Sequence, residues 1–374
     1  LAGIYIHIPF CRKACHYCNF HFSTTGHQKN ALVNALLKEI QLTGQWTEET
    51  IETIYFGGGT PSLLSEQELL NILASLRNTY SLDKNLECTL EANPDDISEA
   101  ALAGWLELGI NRLSVGIQSF RNEDLEWMNR AHDAGQALQA LTLIPRAGFL
   151  NYSADLIYGI PGLDHDSWKN NIHIMTDAGL PHISAYALTV EPRTALDGMI
   201  RQHKKADVDP EMQSTQFLIL MDELARAGYE HYEISNFAKP GMRSRHNSAY
   251  WQGKPYRGFG PSAHSFDGKS RSWNIANNAL YIRAIENGTI PQETETLSPS
   301  QQFNEYVMIS LRTSEGISLQ RIRKIWGDER REALLLAASP HLQRQHLEVH
   351  GNGLVLTREG RLFADGIAAD LFWI

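Results

Sequence analysis

The feature that most constrains this chain is an alternation of two hydrophobic periods along its first half. Strand-like runs at 3–8, 51–56, 86–90, 112–117, 152–158 and 182–188 are separated by helix-like runs at 30–42, 66–80, 98–108, 121–130, 135–147 and 167–178. Residues 3–8 are small, apolar and aromatic and stop at Pro9, while Leu32, Val33, Leu36, Leu37 and Ile40 recur at the spacing of one helix face. Strand and helix in strict turn predict a parallel sheet with helices outside it. Periodicity fits an open doubly wound sheet and a partial barrel equally. The polar residues tilt the choice, because a pointed group stands at or just past each strand: a cysteine run, then Gly57-Gly58-Gly59-Thr60, Glu91, Gln118, Asp155 and Tyr186. In parallel α/β folds sites are built at the carboxyl ends of strands, so these groups describe one concave rim. The expected fold is α/β, a partial (β/α)6 TIM-like barrel.

Beyond the sixth strand, 210–227 reads as a long helix and 229–237 as extended chain. A stretch rich in Gly, Pro, Arg and aromatics, 239–272, shows little periodicity, and a loop of that length is uncommon unless functional. From Ser298 the pattern changes to helices at 301–312, 318–326 and 330–336, a hairpin of 347–350 with 354–357 around Gly351-Asn352-Gly353, and a last helix from Arg358. This predicts a C-terminal winged-helix-like α+β domain. The expected division is 1–235 for the barrel and its following helix, 236–296 for the irregular region, and 297–374 for the last domain.

With 43 acidic against 33 basic residues the chain carries a net charge of -10, the wrong sign for a general nucleic-acid binder. Residues 297–374 hold nine acidic and nine basic groups, so the winged-helix look does not come with a phosphate-tracking stripe. No stretch has signal-peptide character and no apolar run reaches the roughly 18 residues that span a bilayer. A cytoplasmic protein without a membrane span is expected.

Three of the four cysteines, Cys11, Cys15 and Cys18, fall within eight residues, spaced Cys-x3-Cys-x2-Cys directly after the first strand. Disulfide geometry would pair two and strand the third, whereas three thiolates can wrap one iron-sulfur cluster and leave one iron open. Zinc is the alternative, but it usually recruits a fourth ligand, and neither a second Cys-x-x-Cys nor a His pair is evident. His16 lies between the cysteines, and Cys88, in an apolar strand, reads as packing.

Tyr5-Ile-His-Ile-Pro-Phe-Cys11, Gly57-Gly-Gly-Thr-Pro61, Glu91-Ala-Asn-Pro94, Asn111-Arg-Leu-Ser-Val-Gly-Ile-Gln118-Ser-Phe120, Asp155-Leu-Ile-Tyr-Gly159 and His246-Asn-Ser-Ala-Tyr-Trp251 are together informative. Through them nearly the whole chain resembles the oxygen-independent coproporphyrinogen III oxidase family of radical S-adenosylmethionine (SAM) proteins, and most of all its HemW-type heme-chaperone branch. The resemblance implies a 4Fe-4S cluster on Cys11, Cys15 and Cys18, with SAM at the open iron. It implies SAM contacts from Tyr5, Gly58, Gly59, Thr60, Glu91, Gln118, Arg130 and Asp155. Glycines there leave backbone groups bare for close approach, and the carboxylates can accept from ribose hydroxyls. It gives His16 no ligand role.

Two departures from the oxidases are expected to matter. The position two residues past the third cysteine, a further cysteine in those enzymes, is Phe20, and the chain starts four residues before Tyr5, without the extension they carry there. In place of porphyrinogen chemistry stands the motif His246-Asn247-Ser-Ala-Tyr250-Trp251, which the resemblance marks as heme-binding. Imidazole ligates heme iron, Tyr and Trp stack on a macrocycle, and Arg243 and Arg245 can meet propionates. A histidine in a structural hydrogen bond is the alternative reading, and His264 is a second candidate ligand. The expected function is a chaperone that binds heme and delivers it to haemoproteins such as membrane-bound respiratory enzymes, lying at the membrane surface when it does so. A radical enzyme abstracting hydrogen from a porphyrinogen propionate, and a cluster used only for electron transfer, are the competing readings.

Overall fold

The computed structural model describes residues 2–374; Leu1, where the expected first domain begins, lies outside the described residues. Six βα steps open the chain: β1 (Ala2–Ile8), α1 (Lys29–Thr43), β2 (Ile51–Gly58), α2 (Glu66–Thr79), β3 (Leu82–Ala92), α3 (Glu99–Leu108), β4 (Arg112–Gln118), α4 (Asn122–Trp127), α5 (Ala134–Arg146), β5 (Asn151–Tyr158), α6 (His165–Asp177), β6 (His182–Ala187), α7 (Ala195–Arg201) and α8 (Pro210–Arg226). Strands β1 to β6 pair in sequence order and in parallel, so their carboxyl ends share one rim. Helices on the outer face explain the near-continuous burial of β1, where Ile4, Ile6 and Ile8 are fully enclosed. Local sequence sets the helix starts: Ser65 with Glu68 and Asp133 with Gln136 form capping boxes, and Asp209 caps α8 ahead of Pro210.

Residues 239–272 depart from the expectation of a long irregular loop, whereas the extended chain expected at 229–237 falls on two short strands. After the hairpin β7 (Glu230–Glu233) and β8 (Asn236–Ala238) come α9 (Arg245–Trp251), β9 (Tyr256–Phe259), β10 (His264–Phe266), β11 (Ser270–Asn274), α10 (Asn278–Glu286) and β12 (Gln292–Thr296). β9 runs parallel to β1, and β10 to β12 follow antiparallel, so the sheet grows to twelve strands in the order β12-β11-β10-β9-β1-β2-β3-β4-β5-β6-β8-β7. It is open at both ends, a partial barrel with an added wing on each edge. These strands span only three to five residues each, too short to carry a readable period.

The last unit holds α11 (Pro299–Leu311), β13 (Ile317–Ser318), α12 (Leu319–Gln343), β14 (Leu347–His350), β15 (Gly353–Leu356) and α13 (Ala364–Asp370), with a sheet ordered β13-β15-β14. α12 breaks at Gly327 (φ 89, ψ 173), which separates the two helices expected on either side of it. Phe303, Val307, Leu311, Ile322, Leu354 and Ile367 form a core distinct from that of the barrel. None of the helices among the described residues is long and apolar enough to cross a membrane.

Candidate functional site

The cysteine loop leaves β1 at Pro9 and is closed at its base, where the Cys11 amide donates to Ser23 O (3.0 Å) and the Ser23 amide to Pro9 O (2.8 Å). Its far side is pinned by residues 127–130: His16 N donates to Met128 O (3.1 Å), His16 Nδ1 lies 3.1 Å from Trp127 O, and Asn129 Nδ2 donates to Ala14 O (2.7 Å). His16 therefore anchors the loop. All three cysteines are free and line one cavity of ≈ 460 Å³ at the carboxyl ends of the strands, together with Gly58, Gly59, Thr60, Glu91, Gln118, Arg130 and Asp155.

Gly58 (φ +109) and Gly59 bring the β2 end against this loop. A Cβ on Gly59 would stand 2.7 Å from Phe10 O and 2.8 Å from Phe10 N, so only glycine allows the approach. Glu91 accepts from Tyr55 Oη (2.7 Å) and the Gly58 amide (3.2 Å). Burial pushes its carboxyl up to about 7, with Asp155 adding to the effect, and burial pushes Asp155 up to about 6. Burial likewise raises the Cys18 thiol to about 11. Arg130 reaches over the cavity floor: Nη1 donates to Cys15 Sγ (3.3 Å) and Nη2 to Asn93 Oδ1 and Gly116 O (both 2.7 Å). Gln118 Oε1 and Arg130 Nε are buried without a hydrogen-bond partner. Phe20 projects at the mouth, 67% exposed.

Of the expected cofactor contacts Tyr5 alone does not line the cavity; it lies deeper, stacked on Tyr55 (6.1 Å between rings) with its hydroxyl 3.2 Å from His7 Nδ1. Two residues of the site escape sequence reasoning. Asn93 bridges Thr60 (3.2 Å) and Arg130, and Asn129, at φ 61, holds the cysteine loop. Asparagine is too common in loops to signal either role.

The motif from His246 to Trp251 forms α9, capped by Ser244, with the Glu87 carboxylate taking the Arg245 and His246 amides at 3.1 and 2.9 Å. His246 is only 1% exposed, with its ring stacked on Tyr55 at 5.0 Å. Its Nδ1 is 2.8 Å from Thr53 Oγ1 and its Nε2 is 2.8 Å from Tyr250 Oη, and burial lowers it to about 3, a neutral imidazole with both nitrogens engaged. Arg243 pairs with Glu230 and Glu315, and Arg245 with Asn85 O and Glu52. Tyr250 and Trp251 face a second cavity of ≈ 420 Å³ between β9–β11 and the C-terminal unit, and His264 stands on its wall.

Known proteins bear on both regions. A family model described as the radical SAM superfamily matches residues 5–175, and one described as the HemN C-terminal domain matches 297–363. The chain is 34% identical to the heme chaperone HemW of Mycobacterium tuberculosis over 99% of its own length and 94% of that protein's. The chain belongs to the HemW family. Within the family, the HemW of Bacillus subtilis (strain 168) is 33% identical over 98% of both chains. A bovine mitochondrial radical S-adenosyl methionine domain-containing protein 1 is 36% identical over 85% of this chain and 75% of its own. The solved structure of Escherichia coli coproporphyrinogen III oxidase (HemN) superposes with a TM-score of 0.84 over 99% of this chain and 90% of that one, at 23% identity, and shares the fold.

The donor set suits the cofactors of the superfamily. Three thiols, a glycine edge and orphaned polar atoms on Gln118 and Arg130 match a polynuclear cluster with a polar ligand beside it.

Proposed function

We propose that the protein is a heme chaperone, which binds heme and passes it to haemoproteins, among them membrane-bound respiratory enzymes. It carries a 4Fe-4S cluster on Cys11, Cys15 and Cys18 with SAM beside it. The observation that carries this reading is the likeness to HemW chaperones along essentially the whole chain. We place the protein in the cytoplasm, peripheral at the membrane during delivery. When bound, the cluster and SAM together supply electron transfer to a carbon-sulfur bond.

The chain's own residues prepare that site. Arg130 sets its guanidinium 3.3 Å from Cys15 Sγ and so braces the middle cysteine of the loop. Gly58 and Gly59 let backbone groups approach the amino-acid end of SAM, Glu91 and Asp155 present acceptors to ribose hydroxyls, and Thr60 and Gln118 complete the polar lining. Tyr5 supports the floor through Tyr55. On the heme side, Tyr250 and Trp251 offer ring faces to a macrocycle, His246 orients Tyr250, and Asn247 sits in the same helix turn.

Titrating the purified protein with hemin is expected to give a Soret band that decays when an apo-haemoprotein is added. Absence of both binding and transfer overturns the reading. Conversion of coproporphyrinogen III by the anaerobically reconstituted protein with SAM and a reductant would replace it with the enzymatic one.

A further inference from the structure

His246 has no nitrogen free, which raises the question of which imidazole can reach heme iron. His264 lies on β10, more than a third exposed, two residues from Phe266 and therefore on the same face of the strand. Both side chains line the ≈ 420 Å³ cavity. Among the described residues the His264 ring carries no hydrogen bond; it leans on Trp273 at 6.1 Å between ring centres. Partial burial and the nearby Arg271 lower its pKa, so the imidazole is neutral at physiological pH and offers a lone pair.

The walls around His264 have the chemistry of a macrocycle site. Tyr250, Trp251 and Tyr256 stand on one side, and Tyr306 and Trp326 of the C-terminal unit on the other, with Ile325 at the rim. The volume falls in the range of small-molecule sites, which bind through apolar walls and a few placed polar groups. Three cations border the cleft. Arg271 pairs with Glu305 at 2.6 Å yet keeps Nε buried without a partner, Arg321 has the Tyr306 ring at 4.6 Å, and Lys254 lies 3.5 Å from Glu52. Two carboxylates of a porphyrin have partners there.

We propose that heme enters this cleft between the edge strands and the C-terminal unit, with His264 as axial ligand and with Arg271, Arg321 and Lys254 receiving its propionates. The proposal rests on the chaperone reading. It makes His246 a positioning residue: the ring, braced by Thr53, holds Tyr250, and Tyr250 packs edge-on against Tyr256 at 4.5 Å to shape the wall. An open cleft between two separate cores also suits a cargo that has to leave again.

The test is hemin titration of the full chain followed by absorbance and electron paramagnetic resonance, using wild type, His264→Ala and Ile325→Trp. Ile325 is 52% exposed and His264 is a surface strand residue, so both variants are expected to fold, with circular dichroism as the control. His264→Ala is expected to weaken heme binding by roughly tenfold or more and to lose the histidine-ligated signal, which added imidazole restores. Ile325→Trp is expected to weaken binding by filling the cleft while keeping His264. Wild-type affinity and spectra in His264→Ala overturn the ligand assignment, and unchanged binding in Ile325→Trp overturns the cleft. A wild type that takes no heme defeats the chaperone reading itself, and this proposal with it.

Discussion

Glu91 and Asp155 are carboxyls that the fold buries on the wall of the cysteine-lined cavity, and burial raises their proton affinity. In the chain without cofactors, Glu91 rises from 4.5 to about 7 and Asp155 from 3.8 to about 6, in each case first through burial. Between about pH 4 and 7 the folded chain therefore keeps protons that the unfolded chain has released. Stability from these groups is complete below the unfolded values and is lost as pH rises through the folded ones. For Glu91 the loss is on the order of 3 kcal/mol. Glu91→Gln is expected to flatten the fall in urea midpoint between pH 5 and 8, and an unchanged slope would place the titration elsewhere.

At the scale of elements, the edge strands β9–β11, paired to the barrel through β1, are tied to it a second time by one residue of α1. Glu39, wholly buried, accepts from Tyr281 Oη (2.6 Å), Asn274 Nδ2 (2.6 Å) and the Gly260 amide (2.8 Å), joining α1 to α10, β11 and the β9 end. Removing the acceptor leaves three donors in a dry interior, each costing about 1–3 kcal/mol if unpaired. Glu39→Ala is thus expected to destabilise the fold by about 3–5 kcal/mol, and Glu39→Gln by less, since its amide oxygen still accepts. Chemical denaturation checks the order; equal losses would mean that packing, not acceptance, is what Glu39 supplies. A helix-face glutamate in sequence reads as solvated, because its partners lie more than two hundred residues away.

At the scale of the whole molecule, two cores meet along a seam in which Arg312 is a central contact. Arg312 Nε donates to the buried Glu233 carboxylate (3.0 Å), Ile234 N donates to Arg312 O (2.9 Å), and the Arg312 guanidinium lies 5.4 Å from the Trp251 ring centre. Glu233 also accepts from Asn236 Nδ2 (2.6 Å), so the ion pair is part of a filled network. Deleting one partner of a buried pair leaves a charge uncompensated. Arg312→Ala is expected to cost about 3 kcal/mol and to resolve calorimetric unfolding into two transitions as the units uncouple. A single transition with unchanged midpoint would show that other contacts hold the seam.

The local pattern was enough for the six parallel strands, the cysteine loop and the rim of polar groups, because alternation, capping and ligand spacing act over a few residues and are written in consecutive positions. The resemblance carried by motifs such as Gly57-Gly-Gly-Thr-Pro61 reached the family for the same reason. What the sequence could not reveal is where distant segments meet. β9 is four residues long and becomes a strand only by lying along β1, some 250 positions earlier. His246, the obvious ligand in sequence, is enclosed by Thr53, Tyr55 and Tyr250, while the less conspicuous His264 faces a cleft. Period and spacing are properties of the chain alone; burial, and with it which nitrogen keeps a free lone pair, is decided only when the sheet edges and the C-terminal unit close around it.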